Sequence, residues 1–434
     1  MPILIKGGHV TDPGNWDGPA DILITEGEII AVIAPNLSDK DAVSTGDVPE
    51  NTKIVDATGK IVVPGLVDMH VHLREPGHEY KETILTGCMA AAAGGFSDIC
   101  CMPNTKPVND NSEVTTCILK KARKAAGARV YPVAGISKGL AGKILCEYGD
   151  LKDAGAIALS DDGFPVMDSG LMQSALESAK EFDLPIISHC EDRLLAADGV
   201  MNEGIVARRL GFSGIPNAAE AAMVTRDILL CELTGARLHI AHVSTKESVK
   251  AVRDAKSKGV PVSAETAPHY FTLTHEAVEN YNTNAKMNPP LRSPRDVEAV
   301  REGLSDGTID VIASDHAPHS ITEKEVQFEK AANGIIGLET SLALSLNLVE
   351  QKIVTLPELI EKMSINPARI LGLEKGISVG KKADITIIDT KTTYTVDAAA
   401  FKSQSRNTPF DGWKLKGRAV WTMSGGKIIF DEIL

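Results

Sequence analysis

The chain has 434 residues, of which 43% are hydrophobic and 24% charged, and its formal net charge at pH 7 is −13. This length suits one large domain with a smaller one, and the acidic balance argues against nucleic acid or an anionic membrane as a partner. No apolar window reaches the ~18–20 residues of a membrane span, and the first residues lack the pattern of a secretory leader. Seven cysteines without a CxxC pair indicate reduced, mostly buried thiols and a cytoplasmic location.

The two ends of the chain are predicted to form one small β-domain. Residues 20–34, ADILITEGEIIAVIA, alternate apolar and polar side chains around Glu26-Gly27, which is typical of a β-hairpin. The tail from residue 377 has the same strand-like pattern, with a second turn at Gly425-Gly426. Because neither end could close a stable sheet alone, we expect residues 1–63 and 377–434 to form a composite β-sandwich domain. Residues 43–50 are rich in turn-forming residues and are predicted to be a loop.

Residues 64–376 alternate short apolar runs with helix-like stretches. The eight runs are GLVDMHV, FSDICCM, ARVYPVAGI, AIALS, LPIISHC, RLHIAHV, VPVSAET and DVIASDH. Helices are predicted over 113–126, 170–182, 218–234, 244–258 and 294–304. Eight buried strands, each followed by a helix or long loop, predict an α/β fold of the (β/α)8 TIM-type barrel class. The alternative is a doubly wound open sheet, but no glycine-rich phosphate loop follows the first strand.

Chemically active residues follow the strands at the end where a barrel of this type carries its active site. His70 and His72 are two apart at a strand end, so both imidazoles face the same side. The later strand ends carry further polar residues: Asn104, Asp161, Asp162, His189, His242, His269, Asp315, His316 and His319. Four histidines and two aspartates are hard to assign to packing, because burying unpaired polar groups is costly. The pattern therefore predicts a metal centre.

The ligand types and their number indicate which metal is bound. Imidazole and carboxylate without thiolate suit zinc, and less often manganese or cobalt. Six ligands exceed the need of one tetrahedral ion with an open position, so two ions sharing a carboxylate are predicted. Such pairs, roughly 3.5–4 Å apart, activate water and polarise a carbonyl, which suits hydrolysis of an unactivated amide.

Nine segments together resemble the amidohydrolase superfamily and, within it, the class I, bacterial type of dihydroorotase. They are PGLVDMHVHLREPG, MPNT, SDDG, ISHCED, HIAHVS, AETAPHY, KMNPPLR, IASDHAPH and NTPFDGWKLKG. The similarity runs nearly end to end, and HVHLREPG with MPNT and SDHAPH is more specific than the HxH pair. The resemblance implies zinc-dependent, reversible hydrolysis of (S)-dihydroorotate to N-carbamoyl-L-aspartate, a step of de novo pyrimidine biosynthesis.

By position, the resemblance implies two zinc ions per chain with six ligands: His70, His72 and Asp315 on one ion, His189 and His242 on the other, and Asp162 bridging both together with a hydroxide. Asp315 would also be the catalytic base and then acid. Many relatives bridge the metals with a carbamylated lysine, but AIALSDDG contains none. Asp162 shares the strand parity of Ala158 and Ser160, whereas Asp161 shares that of Leu159, so parity favours Asp162.

The resemblance also implies a set of substrate-binding residues: His72, Arg74, Asn104, Asn288, His319, Asn333 and Gly334. Arg74 offers a planar fork that fits the substrate carboxylate. Alone, Arg74 is equally consistent with a surface salt bridge, and Asn104 with a turn. Asn333 stands where relatives often have phenylalanine, which leaves a backbone contact through Gly334.

Alternatives remain at this point. A related cyclic amidase, such as an allantoinase or hydantoinase, would not need the carboxylate-binding residues, and a non-catalytic relative would typically have lost metal ligands. We expect a small-molecule substrate, a homodimer and an association with aspartate carbamoyltransferase, although the residues themselves establish neither assembly. His9, His78 and His275 have no partner motif and are predicted to lie on the surface.

Overall fold

The computed structural model describes residues 1–34, 49 and 51–433. Apart from Pro49, the loop predicted over residues 43–50 lies outside this range. None of the helices in the described part of the chain has the length and apolar character needed to cross a membrane.

Eight parallel strands form the barrel in chain order. Their bounds are Leu66–Val71, Phe96–Cys101, Arg129–Ala134, Ala158–Leu159, Ile186–Ser188, Leu238–Ile240, Val262–Thr266 and Val311–Ile312. A parallel bridge between Val71 and His316 brings the first and eighth strands together, and the amide of His72 donates to the carbonyl of His316 at 2.8 Å. Every residue of the first two strands is buried, as expected for strands covered on both faces. The predicted (β/α)8 barrel is confirmed.

Helices follow the barrel strands along the chain. Their bounds are Ile84–Ala93, Ser112–Ala122, Tyr148–Asp153, Ser169–Glu181, Arg193–Ala196, Ile205–Leu210, Asn217–Thr234, Lys246–Ser257, Pro268–Thr272, Pro294–Ser305, Ile321–Lys324, Leu338–Glu350, Leu356–Ile360 and Asn366–Leu371. The five predicted helices are confirmed, with ends that differ by a few residues. Lys246–Ser257 shows the local cause: the Thr245 side chain caps its first turn, and Val249, Val252 and Ala255 form one buried face.

Both chain ends contribute to a second sheet. Its strands are Ile3–Asp12, Trp16–Thr25, Glu28–Ile33, Lys53–Asp56, Ile61–Pro64, Ile385–Thr395, Lys414–Ser424 and Lys427–Asp431. The predicted hairpins are confirmed: Glu26-Gly27 and Gly425-Gly426 both have positive φ at their two central residues, which the tight turn requires. Hydrogen bonds connect these strands into one sheet that branches at Ile3–Asp12, with a separate apolar core around Ile22, Ile385 and Trp421.

One connection in this sheet reaches the end of the barrel at which its parallel strands finish. Residues 401–411, here called the strap, lie between the strands Ile385–Thr395 and Lys414–Ser424 and follow the short helix Ala398–Ala400. The strap contacts the loops after the first and eighth barrel strands. The division into residues 1–63 with 377–434 and residues 64–376 remains a prediction.

Candidate metal centre and active site

The polar residues predicted at the strand ends converge on one spot. His70 lies in the first barrel strand and His72 directly follows it. The other four follow later strands, the fourth, fifth, sixth and eighth: Asp162, His189, His242 and Asp315. All six are buried. The Asp162 carboxylate lies at the centre of the group. Its Oδ1 is 3.4 Å from His70 Nε2, 3.5 Å from His189 Nδ1 and 3.6 Å from His242 Nε2, and its Oδ2 is 3.5 Å from His72 Nε2.

The neighbouring aspartates have different surroundings. Asp161 faces the loop after the third strand, where its carboxylate accepts hydrogen bonds from the amide (3.0 Å) and the hydroxyl of Ser137. Asp315 Oδ1 lies 3.3 Å from His72 Nε2 and 3.6 Å from His70 Nε2. Asp161 and Asp162 both follow the two-residue strand Ala158–Leu159, and of these two neighbours only Asp162 points toward the histidines.

Two buried residues hold His70 in its orientation. Glu265, in the seventh strand, lies with Oε1 2.6 Å from His70 Nδ1 and with Oε2 3.2 Å from His239 Nε2. The carboxylate thus fixes the imidazole with Nε2 directed at Asp162. We did not single out Glu265 and His239 from the sequence. The available signal was a charged residue, Glu265, inside a strand with buried neighbours.

The electrostatics of the cluster favour ionised carboxylates. Burial alone would raise the pKa of Asp162, but the charge of His70 and the close imidazoles of His189 and His242 outweigh it, and the pKa lies well below its ordinary value. Burial likewise opposes ionisation of Asp315, yet the close imidazole of His72 and the charge of His70 lower its pKa. Burial and the nearby Arg74 lower the pKa of His72. Two buried carboxylates are thus available to a cation.

The donor set fits metal ions. His70, His72 and Asp162 form one group of convergent donors, and Asp162, His189 and His242 form a second, so Asp162 is common to both. Within the described residues, His70 Nε2, Asp162 Oδ1 and His189 Nε2 are buried without a hydrogen-bond partner. Unpaired buried polar atoms are costly, and a cation bound between them would remove that cost.

The predicted carboxylate-binding residues lie beside the metal-binding cluster. Arg74 has a left-handed backbone (φ 61°), and its guanidinium donates from Nε to the Pro318 carbonyl at 3.1 Å and lies 3.3 Å from His319 Nε2. His319 Nε2 is also 2.8 Å from the Asn333 carbonyl. Asn104 Oδ1 is 2.9 Å from His72 Nδ1, so the asparagine contacts a predicted metal ligand. Within the described chain, Arg74 forms no ion pair, which leaves its charge available.

The remaining residues predicted to bind substrate differ in whether their polar groups already have hydrogen-bond partners within the protein. Asn288 Oδ1 is buried and has no hydrogen-bond partner among the described residues. The amide of Gly334 donates to the Lys286 carbonyl at 3.0 Å, and its carbonyl accepts from Asn407 Nδ2 and Lys324 Nζ. Asn333 is exposed. Asn288 therefore has a free acceptor, whereas both backbone polar groups of Gly334 are bonded within the protein.

Relatives of known name show which family this site belongs to. The model of the family described as "Dihydro-orotase-like" matches residues 59–248. The chain is 57% identical over 434 residues to a dihydroorotase of Syntrophus aciditrophicus, covering 100% of both chains. It is 54% identical over 432 residues to a dihydroorotase of Geobacter metallireducens, covering 99% of this chain and 100% of that one. The chain belongs to the dihydroorotase family.

Solved structures extend the likeness to other cyclic amidases. The L-hydantoinase of Arthrobacter aurescens has a TM-score of 0.87 and 28% identity, covering 100% of this chain and 97% of that one. A D-hydantoinase from Thermus sp. has a TM-score of 0.83 and 25% identity, covering 100% and 96% of the two chains. Membership of the dihydroorotase family, this likeness and the convergent metal donors identify a metal-dependent cyclic amidohydrolase.

One prediction about the remaining histidines is wrong. His275 is buried, not on the surface, and its Nδ1 accepts a hydrogen bond from Asn202 Nδ2 at 3.1 Å. His269, at the end of the seventh strand, is also buried, which lowers the pKa of its imidazole to about 4. Its Nε2 has no partner within the described residues. His9 is exposed, as predicted.

Proposed function

We propose that this protein is a dihydroorotase, which interconverts (S)-dihydroorotate and N-carbamoyl-L-aspartate in pyrimidine biosynthesis. The observation that carries the proposal is the Arg74 guanidinium, which lies beside the metal-binding cluster without a carboxylate partner in the described chain. A guanidinium without a carboxylate partner is free to bind a substrate whose ring bears a carboxylate. Full-length identity of 52–57% to proteins named dihydroorotase supports the same activity.

Two zinc ions are the proposed cofactors. We infer that His70, His72 and Asp315 would hold the first, that His189 and His242 would hold the second, and that Asp162 would be a ligand common to both. The support is the pair of donor groups that share Asp162. Bound metal would supply an activated water and polarisation of the ring amide carbonyl.

Asp315 is the proposed catalytic acid and base. Its lowered pKa keeps the carboxylate ionised, so it can accept a proton from the attacking water. It then delivers the proton to the ring nitrogen as the C–N bond breaks, and the reverse transfers close the ring. The left-handed backbone at Asp315 (φ 48°) is a strained conformation, which is common at functional sites.

Arg74, Asn104 and His319 are proposed to bind the substrate carboxylate, with Asn288 on the ring and Asn333 and Gly334 beside it. Arg74 and His319 are already in contact, so the binding groups are ordered before substrate arrives. Such ordering aligns the amide carbonyl with the attacking water and lowers the entropic part of the barrier.

A hydantoinase is the second candidate, because the solved structures with this fold include L- and D-hydantoinases. It would act on a ring without a carboxylate and would gain nothing from Arg74. We further propose that the protein is cytoplasmic, as its seven free cysteines suggest, forms a homodimer and associates with aspartate carbamoyltransferase.

The test compares substrates and one substitution. Purified protein supplied with zinc should hydrolyse dihydroorotate far faster than hydantoin or allantoin. Arg74→Ala should lower kcat/KM for dihydroorotate on the order of 100-fold, since about 3 kcal/mol of charge-assisted hydrogen bonding is lost. Metal content should stay unchanged. Arg123→Ala, on an exposed arginine, is the matched control. A near-normal kcat/KM for Arg74→Ala together with turnover of hydantoin would favour the second candidate.

A further inference from the structure

The strap is anchored to the catalytic end of the barrel by hydrogen bonds along its length. Glu339 accepts from the amides of Lys402 (2.9 Å) and Ser403 (3.1 Å), at the start of the strap. Glu82, buried in the loop after the first strand, accepts from the Ser403 hydroxyl and from the amide of Gln404 at 3.0 Å. The position of residues 402–404 is therefore fixed against two different parts of the barrel.

The next anchor, Asn407, uses its whole side-chain amide. Asn407 is only 3% exposed. Its Oδ1 accepts from the backbone amide of His319 at 3.0 Å, and its Nδ2 donates to the carbonyls of Ala317 and Gly334, both at 3.0 Å. Its backbone carbonyl also accepts from the amide of Ile336 at 2.9 Å. One residue thus joins the loop after the eighth strand to the segment around residues 334–336.

These two segments carry the groups proposed to bind the substrate carboxylate. The His319 imidazole contacts the Asn333 carbonyl and the Arg74 guanidinium, at 2.8 and 3.3 Å. Asn407 bonds to the backbone of His319 itself and to that of Gly334, the neighbour of Asn333. A shift of either backbone segment would move the imidazole relative to Arg74.

We propose that Asn407 is a positioning residue for substrate recognition: it fixes His319 relative to Arg74 so that both meet the substrate carboxylate. The inference rests on the proposed dihydroorotase function. Asn407 does not touch the metal donors, so its effect on catalysis passes through His319. Groups that bind substrate must be held in position to within fractions of an ångström. Loss of the three hydrogen bonds that the Asn407 side chain makes with the backbone of these segments should therefore lower turnover.

The informative substitution is Asn407→Asp, which keeps the size and the Oδ1 acceptor. It replaces the Nδ2 donor by an oxygen facing the carbonyls of Ala317 and Gly334, so both of those hydrogen bonds are lost. Asn407→Ala removes the amide without adding charge and serves if the aspartate variant does not fold. The matched control is Asn366→Asp. Asn366 is also buried, and its Nδ2 donates to the Asp310 carbonyl, just before the eighth strand and so at the opposite end of the barrel.

The experiment is a double-mutant cycle with His319, measured on zinc-loaded full-length protein with dihydroorotate. We expect Asn407→Asp to lower kcat/KM at least tenfold, with metal content unchanged and kcat/KM of Asn366→Asp within twofold of wild type. In a His319→Ala background, Asn407→Asp should lower kcat/KM by less than twofold, because the imidazole through which Asn407 affects substrate binding is already absent. A purely structural role would not produce this coupling.

Three results would overturn the inference. One is an equal loss in both backgrounds, and another is a normal kcat/KM for a folded Asn407→Asp or Asn407→Ala protein. The third is a fall in melting temperature for Asn407→Asp that is matched by metal loss and accounts for the lost activity. An inactive wild type would instead refute the proposed function, so the two failures are distinguishable.

Discussion

Replacing Glu265 by glutamine should weaken metal binding at the proposed site that contains His70. Glu265 is 1% exposed and contacts both His70 Nδ1 and His239 Nε2. Burial opposes its ionisation, but the charge of His70 and the hydrogen bonds from His239 and His70 lower the pKa of its carboxyl. A negative charge behind the imidazole raises the basicity of Nε2, the atom directed at the metal-binding cluster.

The structure indicates that the substitution removes this charge with little rearrangement. The glutamine oxygen can still accept from His70 Nδ1, and its amide group would then face His239 Nε2. His239 can switch tautomer, because its other nitrogen lies 2.8 Å from the Ser263 hydroxyl, which can either donate or accept. The expected loss is that of a supporting carboxylate, on the order of 10–100-fold in metal affinity, or about 1.4–2.7 kcal/mol.

Zinc affinity should be measured by competition with a chromogenic chelator, with metal content and melting temperature recorded in parallel. Glu265→Gln should lower the zinc affinity of the proposed site at His70, whereas the proposed site at His189 and His242 should be less affected. Glu298→Gln, on an exposed glutamate of the helix Pro294–Ser305, is the control. Unchanged zinc affinity in Glu265→Gln would show that the carboxylate does not tune His70.

Further predictions concern the aspartates and the strap. Asp162→Ala should lose metal and activity together. Asp161→Ala should keep its metal and lose only about 1–3 kcal/mol of stability, since the Ser137 amide and hydroxyl lose the acceptor of their protons. Elemental analysis and melting curves distinguish the two variants, and metal loss in Asp161→Ala alone would move the predicted bridging ligand by one residue. Asp315→Asn should retain much of the metal but lose most turnover in both directions, measured with dihydroorotate and with N-carbamoyl-aspartate, because the amide cannot take up a proton. Burial raises the pKa of Glu339 to about 7, so its protonated form stabilises the fold at low pH and that contribution is lost as pH rises from about 4.5 to 7. Glu339→Gln should therefore gain up to about 3 kcal/mol relative to wild type between pH 5 and pH 8, and a pH-independent difference in unfolding free energy would contradict this.

The periodicity of the chain was sufficient to predict the barrel and much of the site. Eight apolar runs predicted the eight strands because buried parallel strands need continuous apolar sequence. The spacing of His70 and His72 predicted a shared direction, because side chains alternate along a strand whatever lies around it. Parity favoured Asp162 over Asp161, and the choice of Asp162 as the shared ligand stays a prediction, since both aspartates lie beyond the strand Ala158–Leu159. These are local properties, so the sequence alone contains them.

Contacts between distant segments were decided only by the tertiary structure. Glu265 meets His70 across 195 residues of sequence, and Asn407 meets His319 across 88. Neither contact follows from the short-range periodicity of a helix or a strand. Closure of the barrel and the course of the strap bring the two residues of each pair together. The burial of His275 was missed for the same reason: whether a polar side chain lies at the surface depends on what packs over it, here Asn202 from a segment 73 residues away.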